Sequence, residues 1–241
     1  DVCSSDLLII NKRNVTLISA DLSKAYDGTA LVNGDTPLAT ETGWASGEGA
    51  TYTFTGSRTL VGFDPNAFYY TLNSNTKADN YIITKSEGTL TITNRSDDDL
   101  LSVEVKALSG EFTYDGTKHS VSGFENETDK GIEIHVNGAT FYVTGITSTA
   151  SGTDANGDGV KTTITGTPVV KDSEGHDVTG QFDIRPAAGT LKITKRDLVL
   201  TSASLSKEYD GYALKNEDTP LAEESGWADG DAPVLIVVCQ R

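Results

Sequence analysis

One acidic loop has the residue types and spacing of a metal site. The run Asp154-Ala155-Asn156-Gly157-Asp158-Gly159 places oxygen-bearing side chains at alternate positions and glycine at the sixth, as in the first half of a calcium-binding loop. Its twelfth position is Thr165 instead of the glutamate that an EF-hand needs, and its flanks have strand-like patterns. The candidate calcium ligands are therefore Asp154, Asn156 and Asp158. A plain turn rich in Asp, Asn and Gly explains the same residues and is the favoured alternative.

The residue types that catalysis needs are scattered along the sequence. The three histidines, His119, His135 and His176, stand in separate strands or turns, and His135 falls on the wet face of an alternating run. The sequence has no serine or cysteine in a nucleophile motif, no phosphate-binding glycine loop and no zinc-ligand spacing. The acidic run Asp97-Asp98-Asp99 is typical of a solvated connection. We therefore expect no enzymatic activity, no catalytic residues and no organic cofactor.

A Tyr-Asp-Gly triplet occurs three times, and its residue types are those of a turn. Aspartate accepts hydrogen bonds from backbone amides two residues on, and glycine reaches positive φ without a Cβ clash. The preceding tyrosine can bury its ring and keep its hydroxyl wet or bonded. A tyrosine–aspartate pair that recognises a sugar is the functional alternative, and we favour the structural turn. The triplets are Tyr26-Asp27-Gly28, Tyr114-Asp115-Gly116 and Tyr209-Asp210-Gly211.

The sequence around these triplets is itself repeated. Residues 14–27 align without a gap on residues 197–210, so that Asp27 falls on Asp210. A second marker, Gly-Thr-Leu-x-Ile-Thr-x-Arg, ends at Arg95 and again at Arg196, and residues 8–13 resemble its last part. Such internal periods are typical of module arrays, which serve reach or avidity more often than chemistry.

These markers predict the organisation of the chain. The closing arginines Arg13, Arg95 and Arg196 delimit two complete units and the opening of a third. We predict the end of a preceding module in residues 1–13, module A in 14–95, module B in 96–196 and a truncated second copy of module A in 197–241.

The two ends of the sequence depart from the repeat pattern. Residues 1–7 resemble a translated sequencing-adapter remnant, and residues 232–241 replace the matching segment of the first A copy. Cys3 and Cys239 lie in these ends, so we assign neither a function and expect no disulfide within the complete modules.

The only two tryptophans occupy equivalent positions in the two A copies. An exposed tryptophan beside acidic residues would suit stacking on a sugar ring, which makes Trp44 and Trp227 candidates for glycan contact. An anchor in the core or between modules is the favoured role, because large aromatic side chains dominate burial energetics.

Alternation and composition predict an all-β or nearly all-β protein. Apolar and polar residues alternate over short runs separated by turn signals, and residues 81–84 and 88–92 suggest a hairpin that closes module A. The formal charge of −16 argues against nucleic acid or an anionic membrane as partner. No apolar stretch approaches the roughly 18 residues of a membrane span, so we expect no membrane insertion.

The ordered set of markers, Leu-Ser-Lys-x-Tyr-Asp-Gly near a unit's start and Gly-Thr-Leu-x-Ile-Thr-x-Arg at its end, resembles the YDG/MBG-type tandem repeat domains of bacterial cell-surface adhesin-like proteins. The resemblance covers nearly the whole chain, from Leu8 to about Asp231. It implies a secreted, extracellular location at the bacterial cell surface, often with wall anchorage, and a stalk or adhesive segment without enzymatic activity.

Two functional hypotheses follow. In the first, the modules are spacers that carry an adhesive region away from the cell, and their partners are the neighbouring modules of the same chain. In the second, each module binds a host or matrix glycan or protein weakly, and the array gains by avidity. For the fold we expect small β-grasp-like or immunoglobulin-like modules joined end to end as an elongated array.

Overall fold

The structure is a computed structural model that describes residues 9–216 and 221–231. The interpretations of residues 1–7 and 232–241, including Cys3 and Cys239, lie outside the described residues. Strands account for 52% of the residues and helix for 4%, which confirms the mostly-β class. The helices of the described part are single 3-10 turns, Ala78–Asn80, Asp97–Asp99 and Thr179–Gln181.

Ten strands lie between residues 13 and 93, where short alternating runs are separated by Gly, Asn and Asp. They are β1 (Arg13–Ile18), β2 (Leu22–Ala25), β3 (Leu31–Val32), β4 (Thr40–Thr42), β5 (Ala50–Phe54), β6 (Ser57–Arg58), β7 (Gly62–Pro65), β8 (Phe68–Leu72), β9 (Tyr81–Ser86) and β10 (Thr89–Thr93). They form two three-stranded sheets, β4-β1-β9 and β2-β10-β7, and two pairs, β3-β6 and β5-β8.

The predicted hairpin of residues 81–84 and 88–92 is wrong. Strands β9 and β10 lie in different sheets, where β9 runs parallel to β1 and β10 runs parallel to β2. The two parallel pairs are joined at a corner where Gly88 donates its amide to Oγ of Ser19, at 2.8 Å. A Cβ on Gly88 would lie 2.5 Å from the carbonyl oxygen of Ser19, so only glycine allows this approach.

Ten further strands lie between residues 101 and 194. They are β11 (Leu101–Lys106), β12 (Gly110–Thr113), β13 (His119–Ser122), β14 (Glu127–Thr128), β15 (Gly131–Val136), β16 (Ala139–Gly152), β17 (Val160–Lys161), β18 (Thr163–Asp172), β19 (Phe182–Ala187) and β20 (Thr190–Thr194). Strand β12 runs parallel to β20, as β2 does to β10, so the strand before each of the first two Tyr-Asp-Gly turns pairs with a closing-marker strand. Strands β13, β16, β15 and β14 form a larger sheet to which β18 is added, and β11 pairs with β19.

Two strands of the last segment, β21 (Val199–Ser202) and β22 (Leu221–Ser225), form an antiparallel pair. This pair corresponds in sequence to β1 and β4, and the register is the same. Val199 lies opposite Ser225, as the aligned residue Thr16 lies opposite Thr42. This one strand pair therefore has the same register in both segments as far as Thr201, where the register shifts.

Contacts divide the described chain into two compact units. Of the described residues, the first contains 9–102, 134–142 and 170–183, and the second contains 103–133, 143–169, 184–216 and 221–231. The predicted module boundaries stay a prediction.

Each unit has its own apolar core. In the first unit Val15, Leu17, Phe68 and Tyr81 pack together. In the second unit the core cluster contains Val121, Ala150, Leu191 and Ile193.

Candidate functional site at the Tyr-Asp-Gly turns

The three Tyr-Asp-Gly triplets form the same turn. In each, the aspartate accepts a hydrogen bond at Oδ1 from the backbone amide two residues on, and the glycine has positive φ. The amide-to-Oδ1 distances are 2.9 Å from Thr29 to Asp27, 2.8 Å from Thr117 to Asp115 and 2.9 Å from Tyr212 to Asp210. The φ angles are 82° at Gly28, 80° at Gly116 and 85° at Gly211.

Each turn aspartate also has a basic partner. In the two A copies, a lysine three residues earlier donates Nζ to Oδ1 at 2.8 Å, Lys24 to Asp27 and Lys207 to Asp210. In module B the basic partner follows the aspartate in the sequence, because Nε2 of His119 lies 3.0 Å from Oδ1 of Asp115.

These contacts lower the pKa of the turn aspartates Asp27 and Asp115. Burial alone would raise the pKa of Asp27, but hydrogen bonds from Lys24 and Thr29 outweigh it and lower the pKa. Hydrogen bonds from Thr117 lower the pKa of Asp115, with a further contribution from His119. The aspartates therefore stabilise the turn in their charged form.

The tyrosine of the first turn is buried within the first unit, and later residues lie against its glycine. Tyr26 is 1% exposed, and a Cβ on Gly28 would lie 2.5 Å from Cζ of Phe141. The side-chain amide of Asn137 donates to the backbone oxygen of Asp27, at 3.2 Å. Phe141 is itself 1% exposed and packs edge-on against Phe182, with ring centroids 5.0 Å apart. The turn is therefore covered by residues that come much later in the sequence.

Polar contacts also bind the first turn. Arg95 donates Nη1 to the backbone oxygen of Tyr26 at 2.8 Å, and Oε1 of Gln181 accepts from the backbone amide of Arg95 at 3.0 Å. Burial raises the pKa of Tyr26 to about 12, assisted by the negative charges of Asp172 and Asp27. The closing-marker arginine therefore binds the Tyr-Asp-Gly turn of its own repeat.

The second turn is seated within the second unit. The hydroxyl of Tyr114 donates to Oδ2 of Asp231 at 3.0 Å, and this bond is the main cause of the raised pKa of Tyr114. A Cβ on Gly116 would lie 3.3 Å from the backbone oxygen of Asp229 and 3.4 Å from Cβ of Ala228. As with the first turn, residues distant in the sequence lie against it.

The third turn is exposed. Tyr209 is 96% exposed, and no described residue lies within 4 Å of a Cβ built on Gly211. The neighbouring Tyr212 is 82% exposed. The three triplets thus share one local geometry but differ in what lies against them.

The two tryptophans share a hydrogen bond but differ in their surroundings. Each donates its indole N–H to a glutamate three residues earlier, Trp44 to Glu41 at 3.0 Å and Trp227 to Glu224 at 2.6 Å. Trp44 packs against the core of the first unit, with its ring edge-on to Tyr81 at 5.0 Å.

Trp227 instead borders an open cavity of about 290 Å³ in the second unit. The cavity is also lined by Tyr114, Asp154, Lys195 and Asp231, so it combines aromatic and charged side chains. Of the two tryptophans, Trp227 is therefore the better placed for contact with a ligand.

The predicted calcium loop is tied to strand β20. The side chain of Asn156 donates to the backbone oxygen of Leu191 at 3.1 Å and accepts from the amide of Ile193 at 3.0 Å. Asp154 and Asp158 are exposed. Within residues 9–216 and 221–231, no three His, Cys, Asp or Glu side chains gather into a metal-binding group.

The histidines each contact a different neighbour. His119 pairs with Asp115, His176 lies 2.9 Å from Asp172, and His135 lies 3.1 Å from the hydroxyl of Thr140. His135 is exposed, which confirms its predicted place on the wet face of a strand. In the part of the chain that the structure describes, no helix has the length and apolar character needed to cross a bilayer.

No protein-family model, curated protein or solved structure matches this chain.

Sequence reasoning missed the residues that cover the turns. Phe141 and Asn137 stand in the ordinary alternating run of β16 and in its preceding turn, so nothing local marks them as partners of Gly28 and Asp27. Asp231 had a usable signal, because the alignment of the two A copies places it on Glu48, another acidic residue.

Proposed function

We propose that this chain is a non-catalytic structural segment of a bacterial cell-surface adhesin-like protein, where it acts as a stalk that spaces or projects an adhesive region. On this proposal the repeats are tandem modules of β-grasp-like or immunoglobulin-like type, exported from the cell. The ordered sequence markers support the family, and the mostly-β fold is compatible with it.

One observation carries the structural role. The first two Tyr-Asp-Gly turns, copies of the most repeated feature of the sequence, use their side chains for contacts within the chain. Tyr26 is buried, Gly28 lies against Phe141, and the hydroxyl of Tyr114 is bonded to Asp231. Residues that bind the rest of the chain in this way favour a structural role over a site for a substrate.

The location is tested on the cells that carry the gene. Antibodies raised against the purified chain should label intact cells, and brief protease treatment of those cells should remove the label. An antibody against a cytoplasmic protein provides the control for lysis. Labelling that requires permeabilised cells would contradict the proposal.

A second candidate function is weak glycan binding by avidity. It is favoured by one observation, the position of Trp227 beside the cavity that also contains Tyr114, Lys195 and Asp231. The test is a glycan array probed with the full chain, with Trp227→Ala and with Trp44→Ala. Binding that Trp227→Ala removes would support recognition at the cavity, whereas a wild-type chain that binds no glycan supports the spacer.

Calcium binding at Asp154, Asn156 and Asp158 is tested separately. We expect equal melting temperatures in calcium and in EDTA, because the side chain of Asn156 is already bonded to strand β20. A rise with calcium that Asp154→Asn abolishes would instead establish a calcium site.

A further inference from the structure

We propose that Asn137 is a site of spontaneous deamidation, a covalent change that loosens the hairpin of β15 and β16 from the Tyr26 turn. The reactive pair is Asn137-Gly138, which forms the two-residue turn between these strands. The reaction consumes only water, and the proposal does not depend on the stalk role.

An asparagine before a glycine has both partners of the reaction in adjacent residues. The backbone nitrogen of the glycine, after it loses its proton to a base in solution, attacks Cγ of the asparagine side chain. The new C–N bond closes a five-membered succinimide ring, while the bond from Cγ to the side-chain nitrogen breaks and that nitrogen takes up a proton and leaves as ammonia. Water then opens the ring at either carbonyl, which gives aspartate or isoaspartate. Glycine favours ring closure, because it has no Cβ to obstruct the approach and its backbone reaches many conformations.

The sequence contains three Asn-Gly pairs, and the structure protects the first of them by burial. Asn33 is 3% exposed. Its Nδ2 donates to the backbone oxygen of Thr36 at 2.5 Å, and its Oδ1 accepts from Nδ2 of Asn66 at 2.6 Å. Base and water are therefore excluded, and the amide cannot turn toward the next residue without losing both bonds. The three pairs are Asn33-Gly34, Asn137-Gly138 and Asn156-Gly157.

The third pair is protected by hydrogen bonds to strand β20. Nδ2 of Asn156 donates to the backbone oxygen of Leu191, and Oδ1 accepts from the amide of Ile193. Both ends of the side-chain amide are therefore held, so Cγ is kept from the nitrogen of Gly157.

The Asn137 pair lacks both kinds of protection. Asn137 and Gly138 are exposed, and nothing in the described chain lies within 4 Å of the Cβ direction of Gly138. Within the described residues, the side chain of Asn137 makes one hydrogen bond, from Nδ2 to the backbone oxygen of Asp27 at 3.2 Å. Base and water reach this pair, and rotation of the amide breaks one long hydrogen bond.

Deamidation removes a contact between this hairpin and the first Tyr-Asp-Gly turn. A carboxylate at position 137 has no hydrogen to donate to the backbone oxygen of Asp27, and it adds a negative charge beside a turn that already contains one. Isoaspartate also lengthens the backbone by one carbon, which does not fit a two-residue turn with φ of 51° at Asn137 and 81° at Gly138. Because Phe141 of the same strand β16 lies against Gly28, the cover of the turn loosens.

Peptide mapping of the full chain, kept folded in mildly alkaline buffer, tests the site. We expect Asn137 to lose its amide at least about tenfold faster than Asn33 or Asn156, because a protected site reacts only through local opening. An isoaspartate methyltransferase should label the peptide that contains residue 137. In concentrated urea the three pairs should react at similar rates, since the protection is then lost.

Asn126 is the matched control within the same chain. It is exposed and has a φ of 55°, close to that of Asn137, but Glu127 follows it instead of glycine. Asn126 should therefore keep its amide while Asn137 loses it. Equal rates at Asn126 and Asn137, equal rates at the three Asn-Gly pairs of the folded chain, or the same preference for Asn137 in urea would each overturn the proposal.

Hydrogen exchange measures the effect on the hairpin. Asn137→Asp has the charge of the aspartate product, and Asn126→Asp makes the same change in charge at the control position. We expect faster amide exchange in residues 139–142 for Asn137→Asp and for the aged wild-type chain, but not for Asn126→Asp. The aged chain was folded before it reacted, so it decides the test even if Asn137→Asp does not fold. Exchange in the aged chain at the rate of the fresh chain would overturn the loosening of the hairpin.

Discussion

The tyrosines of the three triplets show how far a local motif determines a residue's role. The aspartate and glycine adopt one geometry at all three positions, because the Asx hydrogen bond and the positive φ depend only on neighbouring residues. The tyrosines do not share one environment. Tyr26 is buried, whereas Tyr209 is 96% exposed. The motif therefore specifies the backbone turn, whereas residues elsewhere in the chain determine whether its tyrosine is buried.

The glycine of the first turn should be sensitive to any added carbon. We expect Gly28→Ala to destabilise the chain more than Gly34→Ala, although both glycines have positive φ. The left-handed conformation costs alanine roughly 1–2 kcal/mol at either site. At Gly28 the new methyl group would also meet the buried ring of Phe141, which adds about 1–3 kcal/mol of overpacking.

Urea unfolding of the two variants measures this difference. No described residue lies within 4 Å of the Cβ direction of Gly34, so Gly34→Ala isolates the backbone cost. Equal losses of unfolding free energy in the two variants would show that the contact with Phe141 adds no cost at Gly28.

The turn aspartates should make stability depend on acidic pH. The pKa of Asp27 is lowered below its ordinary value of 3.8, so its charged form is favoured by folding. The stabilisation is present above pH 3.8 and is lost as pH falls through the folded-state pKa. Asp27→Asn keeps an oxygen for the amide of Thr29 but loses the charge, so it should flatten the fall in unfolding free energy below about pH 4.

Unfolding curves at a series of pH values check this expectation. The decisive comparison is the slope of unfolding free energy against pH in the wild type and in Asp27→Asn. Parallel curves would mean that Asp27 contributes nothing to the acid transition.

At the scale of elements, the sequence predicted the strands but not all their partners. Alternating runs such as Ile132 to Val136 and Leu191 to Thr194 lie in strands, because period two is a local property. The failed hairpin at β9 and β10 shows the limit. Sequential strands with a glycine turn suggest mutual pairing, but here each strand pairs in parallel with a distant one, and such partners leave no local trace.

A buried polar cluster at the corner between these strand pairs was also missed. Asn66 is fully buried and donates to the backbone oxygen of Ala20 at 2.8 Å and to Oδ1 of Asn33 at 2.6 Å. The hydroxyl of Ser19 donates to the backbone oxygen of Asn66 at 2.7 Å. In sequence these residues look like ordinary turn residues, since asparagine and serine are most often exposed.

Asn66→Ala should be strongly destabilising. The substitution leaves the buried Oδ1 of Asn33 and the partly buried backbone oxygen of Ala20 without their donor, and a buried acceptor left in this way costs about 1–3 kcal/mol. Asn75→Ala is the control, because Asn75 is exposed and donates one hydrogen bond to Gly47, so its loss should stay within about 0.5 kcal/mol. Chemical denaturation measures the loss of unfolding free energy in both variants. Similar losses would show that the buried hydrogen bonds of Asn66 contribute no more than an exposed one.

At the scale of the whole chain, the repeat and the compact units divide the sequence differently. The repeat markers place a boundary after Arg95, whereas the first unit also contains residues from 134–142 and 170–183. The difference has a physical source at the Tyr26 turn, where Phe141 and Gln181 supply part of the packing. The sequence markers show where segments of the sequence are alike, whereas the compact units are defined by which residues pack together. The two sets of boundaries therefore differ.

Hydrogen exchange along strand β16 tests whether the first unit unfolds as one body. Residues 139–142 of this strand belong to the first unit, and residues 149–152 belong to the second, where they pair with β13. Weakening the Tyr26 turn by Gly28→Ala should speed amide exchange in residues 139–142 and leave residues 149–152 unchanged, because local opening follows cooperative units. Mass spectrometry of overlapping peptides resolves the two ends. An equal response at both ends would show that β16 opens as a single element and that the two units are not independent in stability.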